Sequence, residues 1–307
     1  MTEGPMNQNK DENEEYLKAV VQKKPRQDDP KEIAITNKIR QQVSQTEWAR
    51  QTIDKIKSLQ INYMKEVITK IGNPPWIHTH TQNFLKEISS LLRAEVVEGS
   101  EFLKEIPKES PVLLMTNHLG IYKLAGINPK KELSVDIPGY DFMYPSPMYF
   151  AGLSPVAEKI GDNLSYVSDD FPGVFGKIHR ASGFIHVPPP NPQNTNRTEA
   201  LLEQTRNALK PKPNIAIVNY PEGGTSGKYS GLGPYDLEPF KTGGYVIASK
   251  LGVRVLPVAQ YFDPEKGLQL KVFNSYIPET TDREGYEKYA HKDRVRMQEW
   301  FDRRKNS

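Results

Sequence analysis

Pro111-Val-Leu-Leu-Met-Thr-Asn-His118 is the stretch on which the fold turns. A short apolar run bounded by Pro111 and by the polar pair Asn117-His118 reads as a β-strand ending at Thr116. Such a strand would deliver His118 to the edge of a sheet, where the loops of open α/β folds form binding crevices. A second strand, Asn214-Ile-Ala-Ile-Val-Asn219, runs into Tyr220-Pro-Glu-Gly-Gly-Thr-Ser-Gly227. Two motifs at strand ends can converge on one site. In the second, Gly223 and Gly224 permit close backbone approach, Thr225 and Ser226 offer hydroxyls, and exposed amides could bind an anionic group. Each motif alone is bland, because a lone His packs or caps and a glycine-rich loop is a tight turn. A Walker loop is excluded: Gly227-Lys228 would need Gly at 222 and Ser or Thr at 229, where Glu222 and Tyr229 stand.

Outward from these strands the chain alternates. Strands are expected at Val112 to Met115, Phe184 to Val187, Asn214 to Asn219, Val253 to Gln260 and Leu268 to Phe273. Phe240 to Leu251 reads as a helix closed by Gly252, and Thr198 to Leu209 as another. Strand, helix, strand within one unit implies parallel pairing and an α/β sandwich. Before residue 95 the pattern differs. Residues 1–30 are polar enough to predict a disordered tail, and Lys31 to Ile71, free of Pro and Gly, carries Ile39, Val43, Ile53, Ile56, Tyr63 and Val67 at helical spacing. One long helix is expected there, stopped by Gly72-Asn-Pro-Pro, with a second from Gln82 to Arg93. The division is therefore a tail (1–30), an N-terminal helical region (31–94) and an α/β domain (95–307). The spans Pro138 to Pro155 and Pro188 to Pro192 read as loops.

Composition narrows the chemistry. The 307 residues contain no cysteine, which removes disulfides, thiolate metal sites and a cysteine nucleophile. With 41 basic and 38 acidic residues the charge is only +3, too little for a dedicated nucleic-acid binder. No run approaches the roughly 20 apolar residues of a spanning helix, and no secretory pattern opens the chain, so a cytoplasmic protein is expected. His78-Thr-His80 would project two imidazoles from one face of a strand, without a third ligand nearby. No metal and no cofactor are expected.

The blocks together resemble the glycerolipid acyltransferases of the glycerol-3-phosphate and lysophosphatidate type. Asn117-His118, Gly183-Phe184-Ile185, Tyr220-Pro221-Glu222-Gly223-Gly224-Thr225-Ser226, Pro239-Phe240-Lys241-Thr242-Gly243 and Leu256-Pro257-Val258 occur in that family's order, over about residues 95 to 275. The resemblance implies a mixed, largely parallel central sheet flanked by helices. It also implies transfer of a fatty acyl group from acyl-CoA or acyl carrier protein to a hydroxyl acceptor, with His118 as base, and peripheral contact with the inner face of a membrane. Glu222, Gly223, Gly224, Thr225 and Ser226 are the acceptor loop it implies.

Three departures follow from the same comparison. The family's Asn-His-x-x-x-x-Asp ends here at Lys123, so the carboxylate that would orient His118 is absent from its place; Asp136, Asp141 or Glu222 could serve instead. The Arg expected after the Gly-x-x-Phe-Ile-like strand is missing, with Lys177, His179, Arg180 and His186 as replacements. The Arg of the Glu-Gly-Thr-Arg-Ser block is missing too, and Lys228 or Lys241 could supply its charge. The alternative reading is a catalytically impaired descendant of the fold that binds lipid or a protein. Tyr140, Tyr144, Tyr149 and Phe150 could line an acyl tunnel or pack into the core, and Trp48 and Trp76 read as anchors of the N-terminal helices.

Overall fold

The computed structural model describes residues 30–108, 110–134, 146–161, 163–169, 173–187, 197–210 and 215–305. The helices are α1 (Pro30–Val43), α2 (Glu47–Thr69), α3 (Pro74–Leu91), α4 (Pro129–Leu133), α5 (Ser154–Ile160), α6 (Gly173–Ala181), α7 (Arg197–Leu209), α8 (Gly243–Leu251) and α9 (Arg283–Lys305). The strands are β1 (Glu95–Glu98), β2 (Val112–Thr116), β3 (Asn163–Asp169), β4 (Ile185–Val187), β5 (Ile215–Asn219), β6 (Arg254–Asp263) and β7 (Gly267–Val272). Short 3-10 turns cover Ser100–Glu105, Gly120–Ala125 and Ser146–Leu153.

The seven strands form one sheet in the order β1-β7-β6-β2-β5-β3-β4. Only β6 and β7 pair antiparallel, so the sheet is mixed and largely parallel, as the sequence implied. β2 is buried along its whole length and lies between β5 and β6. A central parallel strand must be covered on both faces, which explains its unbroken apolar run. Met115 of β2 stands opposite Asn219 of β5, so the two strands end level with each other. Asn117-His118 and Tyr220-Pro221-Glu222 therefore leave the sheet side by side. Successive crossovers from β2 toward β3 and from β5 back to β6 run in opposite directions, which makes this edge the topological switch point.

The N-terminal helices share the molecule's hydrophobic core: Ile35 and Ile39 of α1, Ile56 and Met64 of α2, and Ile77 and Leu85 of α3 are all buried in it. The single helix expected from Lys31 to Ile71 is in fact two. Thr46 breaks it, accepting a hydrogen bond from the amide of Ala49 (3.2 Å) and donating to the carbonyl of Pro264 (2.7 Å). A threonine can cap a helix without any proline or glycine to announce the break. The next helix starts earlier than expected, at Pro74, because Asn73 caps it at the amide of Trp76 and the prolines suit a first turn. His78 and His80 thus lie on a helix and not on a strand. His78 Nδ1 sits 3.0 Å from the carbonyl of Ser182, and His80 pairs with Glu66 at 2.9 Å while stacked between Tyr63 and Trp76. No group of three or more metal-binding side chains occurs among the described residues.

β1, β3 and α9 carry no expectation from sequence. β1 is four residues with an acid at each end, β3 mixes Asn, Ser and Asp with its apolar residues, and α9 buries a six-residue stripe that includes Asp293. Gly252 closes α8 as expected, at φ 64° with its amide on the carbonyls of Ala248 and Ser249. Helix α8 begins only at Gly243, since Lys241 is held away by the hydrogen bond its amide donates to the carbonyl of Pro221 (2.8 Å). Trp48 stacks on Phe262, and Phe150 packs between Tyr166 and Phe184 in the core. Residues 1–29, Tyr140, Tyr144, Pro188 to Pro192, Asp136 and Asp141 lie outside the described residues, as does the side chain of Tyr149.

Candidate active site

Asn117 is fully buried and holds the end of β2 to β6. Its side chain accepts from the amide of Gln260 (2.8 Å) and donates to the carbonyl of Gln260 (3.0 Å). The Gln260 side chain in turn donates to the Thr116 hydroxyl (3.0 Å) and to the Asn117 carbonyl (3.3 Å). Four buried hydrogen bonds thus fix the backbone that carries His118. Gln260 has no motif around it and was not a sequence candidate.

His118 joins the two motifs through its own backbone. Its amide donates to Oε1 of Glu222 (3.3 Å), and its carbonyl accepts from the amide of Ser226 (3.1 Å). The imidazole lies against the Tyr220 ring, with centroids 4.5 Å apart. Glu222 is buried, and its carboxylate also takes the Ser226 hydroxyl (2.5 Å) and the Glu238 amide (2.9 Å). It reaches the backbone of His118, so its visible work is to organise the loop. Burial pushes the Glu222 carboxyl up to about 7, against the pull of those donors.

Gly223 has a left-handed φ of 70°, and a methyl group there would fall 2.3 Å from Nζ of Lys241, which passes over it. Thr225 and Ser226 are buried, whereas Gly223 and Lys241 are exposed. The acceptor-loop candidates and Lys241 are therefore gathered within one loop system beside His118. Arg180 and His186 are placed elsewhere. Arg180 ends α6 at the edge of the sheet where β4 begins, opposite the edge that bears His118, and Lys177 lies on the same helix. His186 sits on β4, separated from β2 by β3 and β5, and its ring is 5.9 Å from that of His179. His118 lines neither the cavity of about 490 Å³ beside Arg294 and Gln298 nor that of about 290 Å³ beside His78 and Gln204.

Lys123, in the turn after His118, has a partner that sequence did not supply. Its ammonium binds Oε2 of Glu32 in the first turn of α1. Lys228 binds the other oxygen of Glu32 at 2.9 Å, and the Thr225 hydroxyl donates to Oε2 at 3.3 Å. Burial alone would raise the Glu32 carboxyl, but the two lysines outweigh it and hold it below its ordinary value. Helix α1 sits tightly on both motifs: a methyl group at Gly120 would meet Ile39 at 2.7 Å and Thr225 at 2.8 Å. Burial first, then the Lys123 charge, pushes His118 down to about 4, with Glu32 opposing the lysines. The imidazole is consequently neutral at physiological pH, the protonation state a base requires.

No protein-family model and no curated protein matches the sequence. Among solved structures, the fold matches the crystal structure of the 1-acyl-sn-glycerophosphate (LPA) acyltransferase PlsC from Thermotoga maritima. The match has a TM-score of 0.50 and covers 82% of this chain and 93% of that one, at 17% sequence identity. The fold is PlsC-like. At that identity the likeness speaks for architecture: the seven-stranded, mostly parallel sheet with flanking helices is that of a PlsC-like protein. No helix among the described residues is long and apolar enough to cross a membrane.

Proposed function

We propose that this protein is an O-acyltransferase in which His118 is the general base. The single observation that carries the reading is the clamp of His118 between Glu222 and Ser226, which fuses the two motifs into one site at the switch point of the sheet. The reaction is transfer of a fatty acyl group from acyl-CoA or acyl carrier protein to glycerol 3-phosphate, a lysophospholipid or a related hydroxyl acceptor. His118 takes the acceptor's hydroxyl proton as the oxygen attacks the thioester carbon. The new C–O bond forms, the C–S bond breaks, and the imidazolium returns its proton to the departing thiolate. The Gly223-Gly224 turn, with Gly223 exposed, is suited to close approach of the acceptor to the backbone.

Glu222 acts in this scheme as a positioning residue, since both its oxygens are engaged in holding the loop and the His118 amide. The absence of a cysteine accords with direct transfer from donor to acceptor. Association with the cytoplasmic face of a membrane, where a lysolipid acceptor would be met, is part of the same proposal.

A second reading, an impaired descendant that binds lipid or a protein, is favoured by one observation: Lys123 stands near His118 and lowers its basicity. Incubating the full chain with labelled acyl-CoA or acyl carrier protein and a panel of acceptors separates the two. The enzyme reading expects product with at least one donor and acceptor pair. No transfer with any pair leaves the binding reading.

A further inference from the structure

Strand β6 overhangs β2, since Thr116 at the end of β2 pairs with Val258 while β6 continues to Asp263. On the side that β2 has left, the backbone of Gln260 would lose its partners. Asn117 stands in for the missing strand: its side-chain amide bonds both the N–H (2.8 Å) and the carbonyl (3.0 Å) of Gln260.

The Gln260 side chain returns the contact. It is fully buried and is the only polar side chain among the buried residues of β6, where an apolar residue would leave no polar group to satisfy. Its Nε2 donates to the Thr116 hydroxyl (3.0 Å) and to the Asn117 carbonyl (3.3 Å), and its Oε1 accepts from the Tyr122 hydroxyl (3.3 Å). The Asn117 carbonyl can only accept, which fixes Nε2 on that side and turns Oε1 to Tyr122. Tyr122 is itself buried, in the turn that follows His118.

One of these bonds falls on the peptide that carries the base. The group joining Asn117 to His118 has two polar atoms, and both are held by buried side chains. Gln260 donates to its carbonyl oxygen, and Oε1 of Glu222 accepts from its N–H (3.3 Å). In a trans peptide these two atoms point in opposite directions, so the plane is gripped from both sides. Turning it would break both bonds and carry the imidazole off the Tyr220 ring, whose centroid lies 4.5 Å away.

We propose that Gln260, its amide oriented by Tyr122, is a positioning residue for His118: with Glu222 it fixes the Asn117–His118 peptide and, through that peptide, the place of the imidazole. A Gln260 that only tied β2 to β6 would behave differently. The Asn117 side chain bonds the backbone of residue 260, and those two bonds survive any change of side chain there. Methionine, of similar length, therefore spares the tie between the strands and removes the grip on the peptide. That the placement sets a reaction rate rests on the acyltransferase reading; the placement itself does not.

Full-length wild type, Q260M and Y122F, labelled at histidine with ¹⁵N and ¹³C, are compared by NMR, with thermal melts to verify folding. The chain has six histidines, and H118A identifies the signals of His118. Q260M is expected to shift the His118 ring and amide signals and to make that amide exchange with solvent about tenfold faster, with the other histidines unmoved. Y122F, which removes only the orienting hydroxyl, should move the same signals in the same direction by less. His118 signals that stay in place in folded Q260M, or that move no further than those of the other histidines, overturn the proposal. Should Q260M fail to fold, Y122F decides, and unchanged His118 signals there count against it. With a wild type that transfers acyl groups, Q260M should lower kcat about 10- to 10²-fold and leave KM within about threefold. An equal kcat overturns the positioning role. A wild type that transfers nothing would remove the acyltransferase reading, and the NMR comparison would still decide this one.

Discussion

Lys123 and Glu32 together decide how His118 is read at the scale of single residues. A lone lysine in that turn would be an uncompensated positive charge beside an imidazole. With Glu32 bridging Lys123 and Lys228, the charge is largely satisfied within the fold. The consequence for mutagenesis is specific. K123D, which by analogy with the acyltransferase pattern would restore an orienting carboxylate, sets Asp against Glu32 and should cost about 1–2 kcal/mol of stability, discounted for partial exposure. The double swap E32K/K123D restores opposite charges and should recover at least half of that loss in urea denaturation. Additive losses would mean that the pair is not coupled as described. His118 and the loop from Glu222 to Ser226 were legible because their motifs are local. Glu32 was not: it sits in a polar stretch, 91 positions from Lys123 and 193 from Thr225, and only the docking of α1 gives it meaning.

At the scale of elements, α1 is the piece whose placement matters most to the site. It exists as a separate helix because Thr46 caps α2 and ties the turn to Pro264, allowing α1 to lie over the Gly120–Ala125 turn. T46A should lower stability by about 1–2 kcal/mol, since it removes both a cap and a bond to another element. A thermal melt measures this, and an unchanged midpoint would contradict the role given to Thr46. Helical periodicity located the apolar stripe of residues 31–71 correctly, but it is blind to a break made by one side-chain cap. Similarly, β1 and β3 escaped sequence reading because a short or polar strand is recognised by its neighbours' hydrogen bonds and not by its own pattern.

At the scale of the whole molecule, the sheet order brings the ends of β2 and β5 together, and the aliphatic runs of these strands made that much of the fold legible. Buried His179 contributes to its pH behaviour. Burial, followed by the charges of His186 and Arg180, pushes His179 down to about 3, while an unfolded His titrates near 6.5. Between those values the unfolded chain binds more protons, so stability falls as pH drops from about 6.5. His118, pushed down to about 4, acts in the same sense. Glu222, raised to about 7 from an ordinary 4.5, acts oppositely, its contribution falling as pH rises between those values. Replacing His179 by leucine should therefore shrink the difference in unfolding free energy between pH 7 and pH 4.5 by on the order of 1–2 kcal/mol. A difference as large as in wild type would show that His179 is not held neutral.

The proposed role of His118 as the base of an acyl transfer is directly testable. The most direct measurement is the initial rate of labelled acyl transfer to glycerol 3-phosphate by wild type and by H118A, at pH 7.5, with both proteins verified as folded by their melts. Wild type should transfer the label, and H118A should do so about 10²- to 10⁴-fold more slowly. A rate in H118A equal to that of wild type would contradict that role.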